Sequence, residues 1–117
     1  MLQLLHHVIE SCDQTRMILV DVNASEGDIM AREELDCYAL RFSVSIRIWH
    51  VLNKLPLSNV PKIFVQGPLT KSIVAALLPS PGPKTVVLCC GPPNFLYEVC
   101  KPALRDVGHD ATRVLIF

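Results

Sequence analysis

Cys89-Cys-Gly-Pro-Pro-Asn-Phe95 is the segment of this chain whose residue types could do chemistry. Gly91 lets the backbone approach a ligand closely or take a dihedral closed to other residues. Pro92 and Pro93 fix the turn and suit the first turn of a helix, where their missing N–H groups cost little. Helix N-termini bind phosphate through free N–H groups, and two prolines remove two of them. The loop is therefore a poor pyrophosphate cradle and a better wall against a planar ring or a ribose. The same residues equally describe a rigid strand-to-helix turn that holds no ligand.

Other constellations are weak. The five cysteines (Cys12, Cys37, Cys89, Cys90, Cys100) form no Cys-x-x-Cys pair, so neither a zinc site nor a thioredoxin-like motif is supported. His6, His7, His50 and His109 lack ligand-like spacing, and no metal site is expected. No Ser/His/Asp or Cys/His arrangement follows from the spacing. Arg32, Glu33 and Glu34 read as a solvated helix face, and Trp49 as a packing residue. Cys89 points away from Cys90 on a regular strand and reads as core.

The elements that must hold the loop follow from periodicity. Leu2, Leu4, Leu5, Val8 and Ile9 recur at helical spacing. Met17–Val22 is an apolar run expected to be a strand buried on both faces, as in a parallel sheet. Asn23–Asp28 is loop chemistry able to cap a helix, whose stripe is Ala31, Leu35, Tyr38, Ala39 and Phe42. Ser45–Val51 is β-prone. Pro56, Pro61 and Pro68 mark a long functional loop, and a short helix is predicted over Thr70–Leu78. Thr85–Cys90 reads as a second fully buried strand. Phe95, Leu96, Val99, Cys100, Ala103 and Leu104 line a helix that Gly108 stops. Arg113–Phe117 is the last strand. The alternation predicts an α/β fold, a parallel sheet flanked by helices, with ligands at the carboxyl ends of the strands.

Composition bounds the rest. At 117 residues, half of them apolar and 19% charged, the chain is globular and one domain long. Eleven basic side chains balance eleven acidic ones, so no field draws nucleic acid or an anionic membrane. MLQLLHHVIE lacks the features of a signal peptide, no apolar run is long enough for a membrane span, and the odd cysteine count suits a reducing, cytoplasmic setting.

Cys90-Gly-Pro-Pro93 resembles the Cys-Gly-Pro-Pro loop of the ferredoxin reductase superfamily, in its cytochrome b5 reductase and nitrate reductase branch. Asp28-Ile-Met-Ala-Arg-Glu-Glu-Leu-Asp36 is similar to that branch's Asp-Ile-Leu-Leu-Arg-x-Glu-Leu segment, and Ile48-Trp-His-Val-Leu52 to its Leu-Trp-Tyr-x-Leu strand. Met1-Leu-Gln-Leu4 looks like the start of its first helix, and Val107-Gly-His109 with Phe117 like its C-terminal end. The resemblance implies that residues 1–117 are an NAD-binding domain of the ferredoxin-reductase-like type. In that family NADH passes a hydride to FAD, and the flavin passes electrons to a haem protein such as cytochrome b5. It places Cys90 beside the nicotinamide, with Gly91, Pro92, Pro93, Asn94 and Phe95 around it. Asn23 and Ala24 fall on a nucleotide-touching loop, and Phe64 and Asn53 at the adenosine end.

Three departures from the family pattern matter. Asn94 and Phe95 stand where Pro and Met usually follow the two prolines. Asn53 stands where the NADH-selective branch has Asp, so repulsion of a 2′-phosphate is lost and NADPH becomes a possible cofactor. The family's glycine-rich nucleotide loop, its first and central strand and its FAD-binding domain are absent from these 117 residues. The four expected strands should then fall into two pairs with exposed edges, an aggregation hazard. The implied partner is a flavin domain in cis or in trans, with any membrane association supplied by a region outside the chain. A non-catalytic paralogue, acting as a nucleotide-binding or interaction module, is the other reading of the same residues.

Overall fold

Parallel strands alternating with helices build the chain, as the apolar runs and helical stripes require. The computed structural model describes residues 2–10 and 15–117, so Cys12 lies outside the described residues. Two compact units divide them, 1–66 and 67–117.

In the first unit a helix α1 (Leu2–Glu10) precedes β1 (Met17–Ser25), α2 (Arg32–Arg41), β2 (Ile46–Lys54) and β3 (Phe64–Gln66). The sheet order is β1-β2-β3, all parallel, with Asp21 opposite His50 and His50 opposite Phe64. Ile46 and Ile48 of β2 pack with Leu5 of α1 and Leu35 of α2, and Met17, Leu19, Tyr38, Ala39 and Phe42 close around them. The turn into α2 is set by Asp28, whose carboxylate accepts from the Ser25 backbone N–H at 3.1 Å and its hydroxyl at 2.9 Å. Both Ser25 donors thus end on one Asp28 oxygen, which holds the chain turned where β1 ends.

Three sequence expectations change here. Ala31 is not part of the helical stripe; it is exposed, with φ 53°, and α2 begins after it. β1 is half-exposed along its length rather than buried on both faces, because it is an edge strand with one neighbour among the described residues. β3 is a strand inside the proline-marked loop. Pro61 and Pro68 bracket it closely, and such a strand is tolerated only at a sheet edge, where one side needs no ladder.

In the second unit α3 (Lys71–Leu77) is capped by Thr70, whose hydroxyl accepts from the Ile73 N–H at 3.3 Å. β4 (Val87–Cys89) pairs in parallel with β5 (Val114–Ile116). Val86, expected inside a fully buried strand, precedes β4 and is 52% exposed, since a two-stranded sheet has little to cover it. Between β4 and β5 the chain forms a π-helix, Phe95–Cys100, that runs into α4 (Lys101–Val107). Pro102 accounts for the widening. It has no N–H for the carbonyl four residues back, and its ring crowds that turn, while the Lys101 N–H bonds to the Leu96 carbonyl five residues back. Leu96, Cys100, Ala103 and Leu104 still face one core with Val74 and Cys89. Gly108 ends α4 at φ 109°, its N–H bonded to the Leu104 and Arg105 carbonyls.

Among the described residues the five strands form a trio and a pair, where the sequence suggested two pairs. The α/β class and the parallel strand order are as expected.

Candidate functional site

The loop after β4 is an accessible strip. Cys89 is buried and Cys90 exposed, as alternation along a strand requires. The Cys89 carbonyl accepts from the Phe117 N–H at 3.0 Å, which holds the strand end in place. Gly91 takes φ 154°, and a Cβ there would lie 3.1 Å from the Phe95 ring. Pro92 starts the helix, its carbonyl accepting from the Leu96 N–H at 3.0 Å. Cys90, Gly91, Pro92, Pro93 and Asn94 are all exposed, and Phe95 is half-buried against the core of residues 67–117. The helix start thus offers a hard, proline-built surface with few N–H groups and one accessible thiol.

In residues 1–66 the expected site residues lie at the carboxyl ends of neighbouring parallel strands. Asn23 and Ala24 end β1, and Asn53 is near the end of β2, where Asn23 pairs with Leu52 and Ser25 with Lys54. Ala24 and Asn53 are exposed, and Asn23 is half-buried. Asn53 is fixed through its backbone, since the Gln66 carboxamide donates to its carbonyl at 2.7 Å.

Phe64 differs from a free aromatic platform. It is buried, the His50 ring meets it edge-on at 5.6 Å, and the Arg32 guanidinium lies 4.9 Å from its centroid. Arg32 was expected to be an idle surface charge. It donates instead to Glu26 at 2.9 Å and to Asp36 at 3.2 Å. The Glu26 hydrogen bond and the nearby carboxylates raise its pKa, against some desolvation. What Phe64 presents outward is therefore a held cation stacked on its ring.

Asp21 and His50 form a pair that spacing did not reveal. His50 is completely buried, and its Nδ1 lies 3.1 Å from Asp21 Oδ2. The same carboxylate oxygen accepts from the Asn23 carboxamide at 2.9 Å. This geometry selects the tautomer in which Nδ1–H donates, and His50 Nε2 is buried without a hydrogen-bond partner. The shared Asp21 oxygen thus ties the buried His50 ring to the Asn23 side chain near the end of β1. The usable signal was an Asp in the apolar run Met17–Val22 and a His in the β-prone run Ser45–Val51. Among the described residues no group of three metal-ligating side chains occurs, and no helix is long and apolar enough to cross a membrane.

Comparison with known proteins decides the family. Residues 1–101 match the family described as the oxidoreductase NAD-binding domain. The chain belongs to that family. It is 34% identical to NADH-cytochrome b5 reductase 2 of Rattus norvegicus over 118 aligned positions, covering all of this chain and 41% of that protein. It is 33% identical to the NADH nitrate reductase of Hordeum vulgare, covering 89% of this chain and 11% of that one. Among solved structures, this NAD-binding domain is similar to the cytochrome b5 reductase domain of Ulva prolifera nitrate reductase. There the TM-score is 0.82 at 24% identity, covering 94% of this chain and 40% of that one. The CS-b5R domains of human Ncb5or, in an NAD+ form, give 0.80 at 19% identity, covering 98% and 32%. The chain spans about two fifths of the first of these relatives. It is an NAD-binding oxidoreductase domain of the cytochrome b5 reductase kind.

Proposed function

We propose that residues 1–117 act as the NADH module of a flavin-dependent reductase, working with a flavin domain in cis or in trans. The observation that carries this reading is the exposed Cys90–Asn94 strip between β4 and its helix. Its residues fit a dinucleotide's planar end better than its phosphates. When bound, NADH supplies the hydride that FAD accepts before electrons leave for a haem protein such as cytochrome b5.

The chain's own residues bind and orient. Gly91 leaves room where a Cβ would intrude. Pro92 and Pro93 keep the wall rigid without N–H groups that would draw water to the ring's face. Cys90, the catalytic residue of this reading, places its thiol beside the nicotinamide, with Asn94 and Phe95 completing that end. In residues 1–66, Asn23 and Ala24 belong to a segment that touches the nucleotide, with Asp21 bonded to Asn23, and Asn53 and Phe64 border the adenosine end, Phe64 through the Arg32 cation over its ring. The cysteines Cys37, Cys89, Cys90 and Cys100 are free thiols, which suits a reducing, cytosol-facing compartment.

Ferricyanide reduction by NADH tests the proposal, using the full chain with a separately supplied flavin domain of this family. Turnover that requires both components supports it. Saturable NADH binding without turnover assigns the chain to a nucleotide-binding module instead, and loss of both overturns the reading. Asn53 sets a second expectation. A neutral carboxamide accepts from a ribose hydroxyl but does not repel a 2′-phosphate. Asn53→Asp should therefore weaken NADPH binding roughly tenfold relative to NADH, about 1.4 kcal/mol. Equal affinities before and after the change would remove Asn53 from the specificity account.

A further inference from the structure

At the amino-terminal ends of β1 and β2 lies a cavity of about 220 Å³, lined among others by Arg16, Ser43, Val44, Ser45 and Arg47. The proposed nucleotide site uses none of these residues. β1 is nine residues long, so at about 3.3 Å per residue the cavity lies roughly 26 Å from the strand ends that carry Ala24 and Asn53.

Backbone bonds fix its walls. In the turn after α2 the Ser45 and Ile46 N–H groups both donate to the Phe42 carbonyl, at 2.9 and 2.8 Å. The Ser45 carbonyl accepts from the Met17 N–H at 2.8 Å, which brings the start of β1, with Arg16 before it, against that turn. The parallel register then sets Arg47 opposite Ile18. The lining holds two guanidinium groups and no carboxylate. Among the described residues neither Arg16 nor Arg47 is in an ion pair, whereas Arg32 meets Glu26 and Asp36, and Arg105 meets Asp106. The Ser43 and Ser45 hydroxyls add donors, and among the described residues the Ser43 and Val44 N–H groups meet no carbonyl.

We propose that this cavity binds a phosphate group, either the free ion or the phosphate of a small ester. Each guanidinium presents N–H donors in a planar fork that matches phosphate oxygens. Two like charges around one hollow repel each other, and an anion between them replaces that repulsion with two attractions. The serine hydroxyls and turn amides can meet the oxygens left over. A carboxylate has one charge and two oxygens, so it satisfies fewer of these donors.

Amide-resolved titration of the 117-residue chain with sodium phosphate at constant ionic strength tests this, with glycerol 3-phosphate in a parallel arm. Saturable shifts are expected at Ser43, Val44, Ser45 and Arg47, with Asn53 and Gly91 unmoved. Arg16→Gln and Arg47→Gln should each weaken binding roughly tenfold, as expected for losing a hydrogen-bonded charged partner. The double variant should not saturate. Arg47→Lys, which keeps the charge without the fork, should fall between. Both arginines are exposed, so their replacement should leave the fold intact. Tighter binding of the ester would support the site and name an organic phosphate as its ligand; equal or tighter binding of inorganic phosphate would name the free ion. Shifts that sodium chloride reproduces, or that persist undiminished in the double variant, would overturn the proposal. So would the lack of any saturable shift at residues 43–47.

Discussion

Gly91→Val should lower NADH affinity by a factor of ten or more and destabilise the fold by about 1–3 kcal/mol. Two effects add. The backbone at Gly91 has φ 154°, which a β-branched residue adopts only under strain. The new Cβ would also meet the Phe95 ring at 3.1 Å, tighter than ordinary contact, and Phe95 is packed against the core and cannot simply swing away. Relief requires either the loop or the ring to shift, and both belong to the proposed nicotinamide wall. Gly82→Val is the control. Nothing lies within 4 Å of a Cβ at Gly82, so its effect should stay within about 0.5 kcal/mol, as for ordinary surface substitutions. Isothermal titration with NADH and urea unfolding measure the two effects. Equal behaviour of the two valine variants would remove Gly91 from the site.

The Asp21–His50 pair should show the strongest coupling in residues 1–66. Asp21→Val takes the acceptor from a fully buried imidazole N–H, which costs about 1–3 kcal/mol for the unmet donor. His50→Phe removes the donor, but the Asp21 side chain is 29% exposed and keeps its bond from Asn23, so water offsets part of the loss. Replacing both residues removes the polar requirement altogether. The double variant should therefore be more stable than Asp21→Val alone, because an apolar pair of similar shape needs no hydrogen bond. Urea denaturation of the four proteins closes the cycle. Strict additivity would mean that the 3.1 Å contact does not couple the two side chains.

What the sequence revealed, and what it hid, has physical causes. Continuous apolar runs and stripes at helical spacing marked most elements, because burial is what those patterns encode. β3 escaped notice because it is three residues long and flanked by prolines, and its support comes from β2, more than ten residues earlier. The π-helix was read as part of an ordinary helix because Leu96, Cys100, Ala103 and Leu104 keep a helical apolar spacing through it. Partial burial of β1 depends on which strands stand beside it, and a strand's own residues do not state that.

The site divides in the same way. Cys90, Gly91, Pro92 and Pro93 were legible because a local turn is specified by local residues. Arg32 over Phe64, and Asp21 against His50, are contacts across separate strands and a helix. They emerge only from the parallel register that sets Asp21 beside His50 and His50 beside Phe64. A polar residue inside an apolar strand run is thus a better prompt for such pairs than metal-like spacing.

The most direct test is an amide-resolved NADH titration of the 117-residue chain. The expected result is saturable shifts at the Cys90, Gly91, Asn94 and Phe95 amides, with Gly82 unmoved and the shifts abolished in Gly91→Val. Saturable shifts that leave residues 90–95 untouched, or no saturable shift at all, would contradict the assignment of this loop to the nucleotide.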